Sequence, residues 1–332
     1  MTTTLKALLT GGLLLASSMA TAETIERDIC VFDIAGKVGP TMAAMQDWRT
    51  EALNWGLSAN LKVYTNESVV AEDLKAGVCD AALMTGIRAR QFNKYAGSLD
   101  SIGAIPTMEH MKIALQVLAH PNSADKLTAN SYEVMGIAPI GAAYIFVNDR
   151  RVNTLAKAAG KKVAVLDYDP TQAKLVAAAG ATPVPSDITN FAGKFNNGVV
   201  DVIAAPLVAY NVLELYKGLE PDGGIIDYPL VQLSIQLIAK ADRFPEEMAQ
   251  TSREYFYNNL DQVLEQVERE ASVVDEKWWV DIPAKDKQEY EVMMQDARDQ
   301  MRNEGHYDPD MLDLLRKVRC KLNSSRAECT GA

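Results

Sequence analysis

Histidine and cysteine are scarce in this chain of 332 residues, which has three histidines and four cysteines. His110 and His120 are ten positions apart and His306 lies far along the chain, so no two of them have the spacing of a metal site. The G-x-S-x-G, H-E-x-x-H, P-loop and G-x-G-x-x-G patterns are all missing. These absences disfavour an enzyme, and we expect no catalytic residue, no metal and no cofactor.

Basic residues are outnumbered, with 33 Lys and Arg against 44 Asp and Glu and a formal net charge of -11. Nucleic acids and anionic membrane surfaces attract positive charge, so both are poor partners for this chain. Beyond the first 22 residues there is no run of 18 apolar residues. We therefore expect no direct insertion into a membrane.

The first 22 residues have the pattern of a secretory signal. Lys6 supplies the positive start, Leu8 to Ala16 form an apolar core, and Ala20-Thr21-Ala22 is a small-residue ending. The apolar core is short for a bilayer span, which disfavours an uncleaved anchor. We predict cleavage after Ala22 and export of the mature chain.

Residues 161–206 predict one compact α/β unit. The apolar run 162–166 is typical of a buried parallel strand. Asp169 and Pro170 suit the start of a helix, and Gly180 suits its end. A second strand, a second helix and a third strand are predicted in turn at residues 182–184, 187–197 and 199–204.

An earlier segment, residues 28–84, follows the same order of strands and helices. Its third strand begins Gly77-Val78-Cys79-Asp80, and the later unit has Gly198-Val199-Val200-Asp201 at the same step. Two similar lobes would explain this repeated Gly-Val-x-Asp pattern. The alternative is that all β-α-β units share glycine helix ends and apolar strands for physical reasons. In either case ligands are expected beyond the carboxyl ends of the parallel strands.

The remaining chain connects the two units and then becomes helical. Strands at 141–148 and 229–238 are predicted to cross between the lobes, and helices are predicted at 246–269, 284–303 and 309–319. The predicted organisation is a signal peptide (1–22), lobe I (23–140, with a return segment 230–265), lobe II (141–229, with segment 266–305), and a C-terminal helix and tail (306–332).

An even number of cysteines in an exported chain favours disulfides. Cys30 and Cys79 each lie at the start of a predicted strand of lobe I, so we pair them. Cys320 and Cys329 are close in sequence and are paired as a clip on the tail. A zinc site requires tighter paired spacing than these four residues have.

Several segments resemble the TRAP-type (DctP-like) periplasmic solute-binding receptors, and the AdeT-like branch among them. The resemblance covers residues 111–282. Its segments are Asn148-Asp149-Arg150-Arg151-Val152, Ala159-Gly160-Lys161-Lys162-Val163-Ala164-Val165, Gly180-Ala181-Thr182-Pro183-Val184-Pro185, Asn197-Gly198-Val199-Val200-Asp201 and Ala241-Asp242-Arg243-Phe244-Pro245-Glu246-Glu247. The resemblance implies an α/β two-lobed periplasmic binding protein (Venus-flytrap) fold with a helical C-terminal region.

The chain departs from this family at the positions that hold a ligand carboxylate. Two arginines and a polar group occupy them in the family, and the matching positions here are Ala164, Ala143 and Ala205. Losing a bidentate arginine contact removes a strong charge-assisted interaction. The usual organic-acid ligand is therefore in doubt.

Other polar residues at predicted strand ends are the candidates for ligand binding. For Asp169 the alternative to ligand binding is a role as a helix cap, and for Arg88 it is a position on the surface beside a helix start. Three carboxylates at strand ends favour a cationic or amine ligand. The candidates are Asp33, Arg88, Tyr144, Asp167, Tyr168 and Asp169.

The predicted function is that of an extracytoplasmic, periplasmic receptor. Two lobes form a cleft that closes on a small-molecule solute, and the resemblance implies delivery of the solute to membrane permease subunits. The alternative is an accessory or adaptor protein of an efflux system. Such adaptors use long heptad hairpins and β-rich domains, which this sequence lacks.

Overall fold

The computed structural model describes residues 24–329, which form one mixed sheet of ten strands with helices on both faces. The strands are β1 (Ile25–Phe32), β2 (Leu57–Tyr64), β3 (Ala81–Thr85), β4 (Thr128–Ala129), β5 (Tyr132–Val147), β6 (Lys162–Leu166), β7 (Thr182–Ser186), β8 (Val202–Pro206), β9 (Gly224–Lys240) and β10 (Trp279–Val280). The predicted signal segment and cleavage site lie outside the described residues.

The α-helices vary from single turns to twenty residues. They are α1 (Pro40–Ala52), α2 (Glu67–Ala76), α3 (Gly86–Ala89), α4 (Lys94–Gly97), α5 (Met108–Ala119), α6 (Ala124–Leu127), α7 (Leu155–Ala158), α8 (Pro170–Ala178), α9 (Phe191–Asn196), α10 (Ala209–Val212), α11 (Tyr216–Leu219), α12 (Glu246–Asn258), α13 (Leu260–Ala271), α14 (Ala284–Asn303) and α15 (Pro309–Leu322). Within the described residues no helix is long and apolar enough to cross a membrane.

The strand order β2-β1-β3-β9-β5-β8-β6-β7 divides the sheet into two parallel groups. In lobe I, β1 pairs in parallel with β2 and β3; in lobe II, β6 pairs in parallel with β7 and β8. The long strands β5 and β9 pair with each other antiparallel and join the two groups. The predicted α/β two-lobed architecture is therefore confirmed, while the exact lobe boundaries stay a prediction.

Several elements begin and end at the residues that the sequence indicated. Asp169 accepts a hydrogen bond from the Thr171 amide at the start of α8, where Pro170 is the first helical residue. Gly180 follows α8 with φ +72°, and Gly77 ends α2 with φ +77°. Glycine adopts this left-handed conformation without the steric cost that a Cβ imposes.

Apolar side chains fill both faces of each half of the sheet. In lobe I, Phe92 and Met111 are buried on one face and Trp48 and Met45 on the other. In lobe II, Phe195 is buried on one face and Val152 on the other. Because both faces are covered, the central strands read as continuous apolar runs and not as alternating ones.

Several predicted elements differ from the structure. Strand β5 begins at Tyr132, nine residues before the predicted start, because Val134 to Ala138 are buried throughout and show no alternation. The helix predicted at 246–269 is two helices, α12 and α13, which are separated at Asn259, whose side-chain amide donates to the Tyr255 carbonyl 2.8 Å away. Strand β9 begins at Gly224, five residues before its predicted start, and α9 begins at Phe191, four residues after its predicted start.

Both predicted disulfides are present. Cys30 in β1 bonds to Cys79 just before β3, with Cα atoms 5.8 Å apart, and both side chains are buried. Cys320 in α15 bonds to Cys329, with Cα atoms 5.6 Å apart. The first bond fixes two neighbouring strands of lobe I, and the second folds the tail back on the last helix.

Removing the long-range disulfide is expected to cost more stability than removing the tail clip. The two bonds span 49 and 9 residues, so loop-closure entropy gives about 4 kcal/mol for Cys30–Cys79 and about 3 kcal/mol for Cys320–Cys329. Urea unfolding of the double variants C30A/C79A and C320A/C329A measures both losses. The reverse order would show that loop length does not set the difference.

Candidate functional site

A cavity of about 1060 Å³ lies between the two lobes. Its walls include Asp33, which follows β1, and Thr85 at the end of β3 on one side, with Leu166 at the end of β6 and Pro206 at the end of β8 on the other. The carboxyl ends of four parallel strands therefore face this space, as expected for ligand sites in open parallel sheets. Helix α13 closes one side through Val263 and its neighbours.

The cavity wall is mainly apolar. Leucine, isoleucine and valine side chains come from both lobes and from the shared strands β5 and β9. They include Ile34, Ile140, Val163, Leu175, Leu233 and Val263. Aromatic rings of Phe191 and Phe256 complete this surface.

Asp33 lies on the cavity wall, but both of its carboxylate oxygens are already used. They accept hydrogen bonds from the Ala35 amide at 2.8 Å and from the Met42 amide at 2.9 Å. The Met42 amide belongs to the first turn of α1, so Asp33, just after β1, caps that helix. A Cβ on Gly39 would lie 1.8 Å from Asp33 Oδ1, which requires glycine at this position.

Tyr168, Arg88 and Glu67 form a buried contact between the lobes, here called the Glu67 cluster. The guanidinium of Arg88 lies 3.3 Å from the centre of the Tyr168 ring. The Tyr168 hydroxyl donates to Glu67 Oε2 at 3.2 Å, and Arg88 Nε is 3.6 Å from the same oxygen. The Thr85 amide donates to Glu67 Oε1 at 2.6 Å. Tyr168 belongs to lobe II and the other groups to lobe I.

Burial controls the titration of this cluster. It raises the pKa of Glu67, against the opposing effect of hydrogen bonds from Thr85 and the charge of Arg88. It also raises the pKa of Tyr168 well above 10, with the nearby Glu67 charge acting in the same direction. Arg88 Nε has no hydrogen-bond partner among the described protein atoms. Arg88 therefore stacks closely on the Tyr168 ring, but its Nε–H has no hydrogen-bond acceptor.

A second contact between the lobes involves Arg90 and Asp169. Arg90 Nη1 lies 3.4 Å from Asp169 Oδ1, and its guanidinium lies 4.9 Å from the centre of the Tyr307 ring. Arg90 Nε donates to the Gly97 carbonyl at 3.1 Å, which directs the side chain. Asp169 thus caps α8 and binds an arginine of lobe I at once.

The structure brings some of the predicted ligand residues together and not others. Asp33, Tyr168 and Asp169 line the cavity, and Arg88 lies beside it in the Glu67 cluster. Two candidates are outside the wall. They are Tyr144, which packs edge-on against Trp279 at 5.1 Å, and the exposed Asp167. A ligand-binding role for the six residues stays a prediction.

The three alanines at the family's carboxylate positions also differ in placement. Ala143 and Ala164 line the cavity, whereas Ala205 is fully buried behind it and pairs with Tyr144 in the sheet. Its neighbours Ala204 and Pro206 reach the wall instead.

Sequence reasoning missed Glu67, Arg90 and Asp100. Glu67 is the first residue of a helix capped by Asn66, and Arg90 follows β3 closely, so both lie near strand ends that the sequence indicated. Asp100 carries no comparable signal, because its partner Ser234 is 134 positions away.

Asp100 is a buried carboxyl group at the cavity wall. Its oxygens accept from the Ser234 hydroxyl at 2.7 Å and from the Ser234 amide at 3.0 Å. Burial raises its pKa to about 7, although these hydrogen bonds favour the ionised form. The folded protein therefore holds a proton on Asp100 at pH values where the unfolded chain has released it.

Stability is expected to fall as the pH rises from about 5 to about 8, because the unfolded state binds fewer protons than the folded state over this range. The loss from Asp100 is on the order of 2–4 kcal/mol. Urea unfolding at both pH values measures it. The isosteric variant Asp100→Asn should show a shallower pH dependence, with a remainder from Glu67; an unchanged slope would contradict the assignment.

The stacking of Arg88 on Tyr168 is expected to couple the two side chains by about 1–2 kcal/mol, because the pair is removed from water. A double-mutant cycle of Arg88→Met and Tyr168→Ala, read by urea unfolding, measures this coupling. Tyr168→Phe keeps the ring and should retain most of it. Tyr144→Ala, combined with Arg88→Met, is the control and should show no coupling; equal values in both cycles would contradict a specific contact.

Comparison with known proteins agrees with this geometry. The family model "Solute-binding protein AdeT 1/2" matches residues 37–332. Probable solute-binding protein AdeT1 from Acinetobacter baumannii is 45% identical over 299 residues, which cover 90% of this chain and 98% of the relative. AdeT2 from the same organism is 28% identical over 233 residues, covering 70% and 98% of the two chains.

Solved structures show the same fold. A TRAP periplasmic solute-binding protein from Desulfovibrio salexigens with bound orotic acid aligns with a TM-score of 0.75 and 15% identity, covering 90% of this chain and 99% of that one. One from Ralstonia eutropha with bound (S)-2-acetolactate aligns with a TM-score of 0.72 and 13% identity, covering 89% and 99%. The chain thus has the TRAP periplasmic receptor fold and belongs to the AdeT 1/2 family of solute-binding proteins.

Proposed function

We propose that this protein is an extracytoplasmic receptor that captures a small molecule between its two lobes and delivers it to a membrane transporter of the TRAP type. The observation that carries the proposal is the cavity of about 1060 Å³ with walls from both lobes. A solute in this position contacts both halves of the protein at once. It therefore binds the closed form better than the open form and shifts the population toward closure.

The contacts between the lobes support a closing cleft. Tyr168 and Asp169 precede α8 in lobe II, whereas Arg88 and Arg90 follow β3 in lobe I. These four residues form the Glu67 cluster contact and the Arg90–Asp169 pair at the edge of the cavity. Separation of the lobes breaks both contacts, so they report directly on closure.

The site is proposed to bind its ligand without chemical change. The cavity wall holds neither histidine nor cysteine, and the described residues contain no group of three or more metal-ligating side chains. The acids on the wall are occupied in part by structural hydrogen bonds, as in Asp33 and Asp100. A receptor has only to bind its solute, and the shape and apolar area of this wall are sufficient for binding.

We place the mature protein in the periplasm, after cleavage of the signal peptide behind Ala22. Two disulfides suit that oxidising compartment. The partners in this proposal are the solute and the permease subunits of a transporter, with no part for nucleic acid or for direct insertion into a membrane.

A thermal-shift screen tests the receptor function. Pools of organic acids, amines, aminoglycosides and neutral apolar solutes are added to the mature chain. A true ligand should raise the melting temperature progressively with its concentration, because it binds the folded state alone. A folded protein that no pool stabilises, but that binds a component of an efflux pump directly, would overturn the receptor proposal in favour of an accessory role.

A further inference from the structure

The chemistry of the cavity wall limits what it can hold. Apolar side chains line it from every direction: from lobe I, from lobe II, from the shared strands and from α13. Six that surround the space are Ile34, Ile140, Val163, Leu175, Phe191 and Val267. Such a wall stabilises a ligand through the apolar area that both remove from water.

The ionisable groups on the wall are mostly acidic. Asp33, Asp47, Asp100, Asp169 and Glu270 line the cavity, and Arg269 is the one basic residue among the wall residues that the structure describes. The Arg269 side chain is 60% exposed and lies 3.7 Å from Glu265, so it faces solvent and an acid. An anionic ligand would meet no buried cation here.

Two further arginines contact residues of the cavity wall and are engaged in those contacts. Arg88 stacks on Tyr168 beside Glu67, and Arg90 bonds to the Gly97 carbonyl and to Asp169. Neither is a wall residue. At Ala143 and Ala164 the wall carries methyl groups, so no charged donor extends into the space from β5 or β6 at these points.

Placing a carboxylate in this space would remove its hydration without a compensating cation, and neighbouring acids would repel it. The charge of Asp33 already helps to raise the pKa of Glu270, after burial as the main cause. A neutral apolar group meets neither penalty. The volume of about 1060 Å³ is at the upper end of ordinary ligand cavities and admits a molecule of drug-like size.

We propose that the solute bound between the lobes is predominantly apolar and carries no negative charge. This inference rests on the proposed receptor function and adds the chemical class of its ligand. In this proposal the apolar wall recognises the solute, and Arg88 and Arg90 of lobe I form the contacts between the lobes.

Two probes of the same shape test the inference. Naphthalene-2-methanol and naphthalene-2-carboxylate share a ring system and differ in one polar group. Titration calorimetry on the mature chain should give a carboxylate affinity at least about ten-fold weaker than that of the alcohol, because the anion loses hydration without gaining a partner. Equal or tighter binding of the carboxylate would overturn the inference.

A variant supplies the missing cation. Ala164→Arg places a guanidinium on β6 at the wall and should reduce or reverse the preference for the alcohol. Ala164→Leu adds bulk without charge and should not. Val199→Arg adds the same charge at a half-exposed position outside the cavity and should leave both affinities unchanged. An unchanged preference in folded Ala164→Arg would contradict binding at this wall.

The outcomes separate this inference from the receptor function. If an anionic solute stabilises the protein and neutral apolar solutes do not, the receptor function is supported and the proposed apolar class of ligand is wrong. Stabilisation by neutral apolar solutes supports both. If Ala164→Arg does not fold, the comparison of the two probes on the unaltered protein still decides.

Discussion

Strands β5 and β9 form the antiparallel ladder on which the rest of the structure depends. The ladder runs from the pair Tyr132–Lys240 to the pair Val147–Gly224 and passes through both lobes. Three register shifts interrupt it, and the two at Pro139/Gly141 and Ala143/Ile145 lie where the strands line the cavity. The same irregularities that bend the sheet therefore shape the wall between the lobes.

The ladder also restricts how the lobes move. A connection through two paired strands resists sliding, because sliding would break a row of backbone hydrogen bonds at once. Bending at the register shifts keeps most of the bonds. Gly136, where a Cβ would lie 2.2 Å from the Phe256 ring, and Gly141, with φ +92°, allow close packing and a sharp local turn at these points.

Local signals in the sequence were sufficient for the elements that begin and end at strongly biased residues. Asp169 and Pro170 fixed the start of α8, and the apolar run before them fixed β6. The disulfide pairing followed from position in the predicted strands and from closeness in sequence. The first half of β5 was missed because it is buried on both faces and has no period for a pattern to detect.

The sequence predicted which strand ends form the candidate site, but it did not predict which side chains contact each other there. The ends of β1, β3 and β6 were indicated correctly, and they bring Asp33, Tyr168 and Asp169 to the cavity. Which arginine meets which acid depends on the way the lobes pack, over separations of 79 residues for Arg90–Asp169 and 101 for Tyr168–Glu67. No local rule specifies such contacts.

The Nε of Arg88 has no hydrogen-bond acceptor within the described protein, although it lies 3.6 Å from Glu67 Oε2, and this reduces the net gain from the contact with Tyr168. A buried donor without an acceptor costs about 1–3 kcal/mol. That cost offsets part of what the stacking on Tyr168 contributes to the contact between the lobes. The smaller the net gain from this contact, the smaller the differential affinity that a solute needs in order to set the arrangement of the lobes.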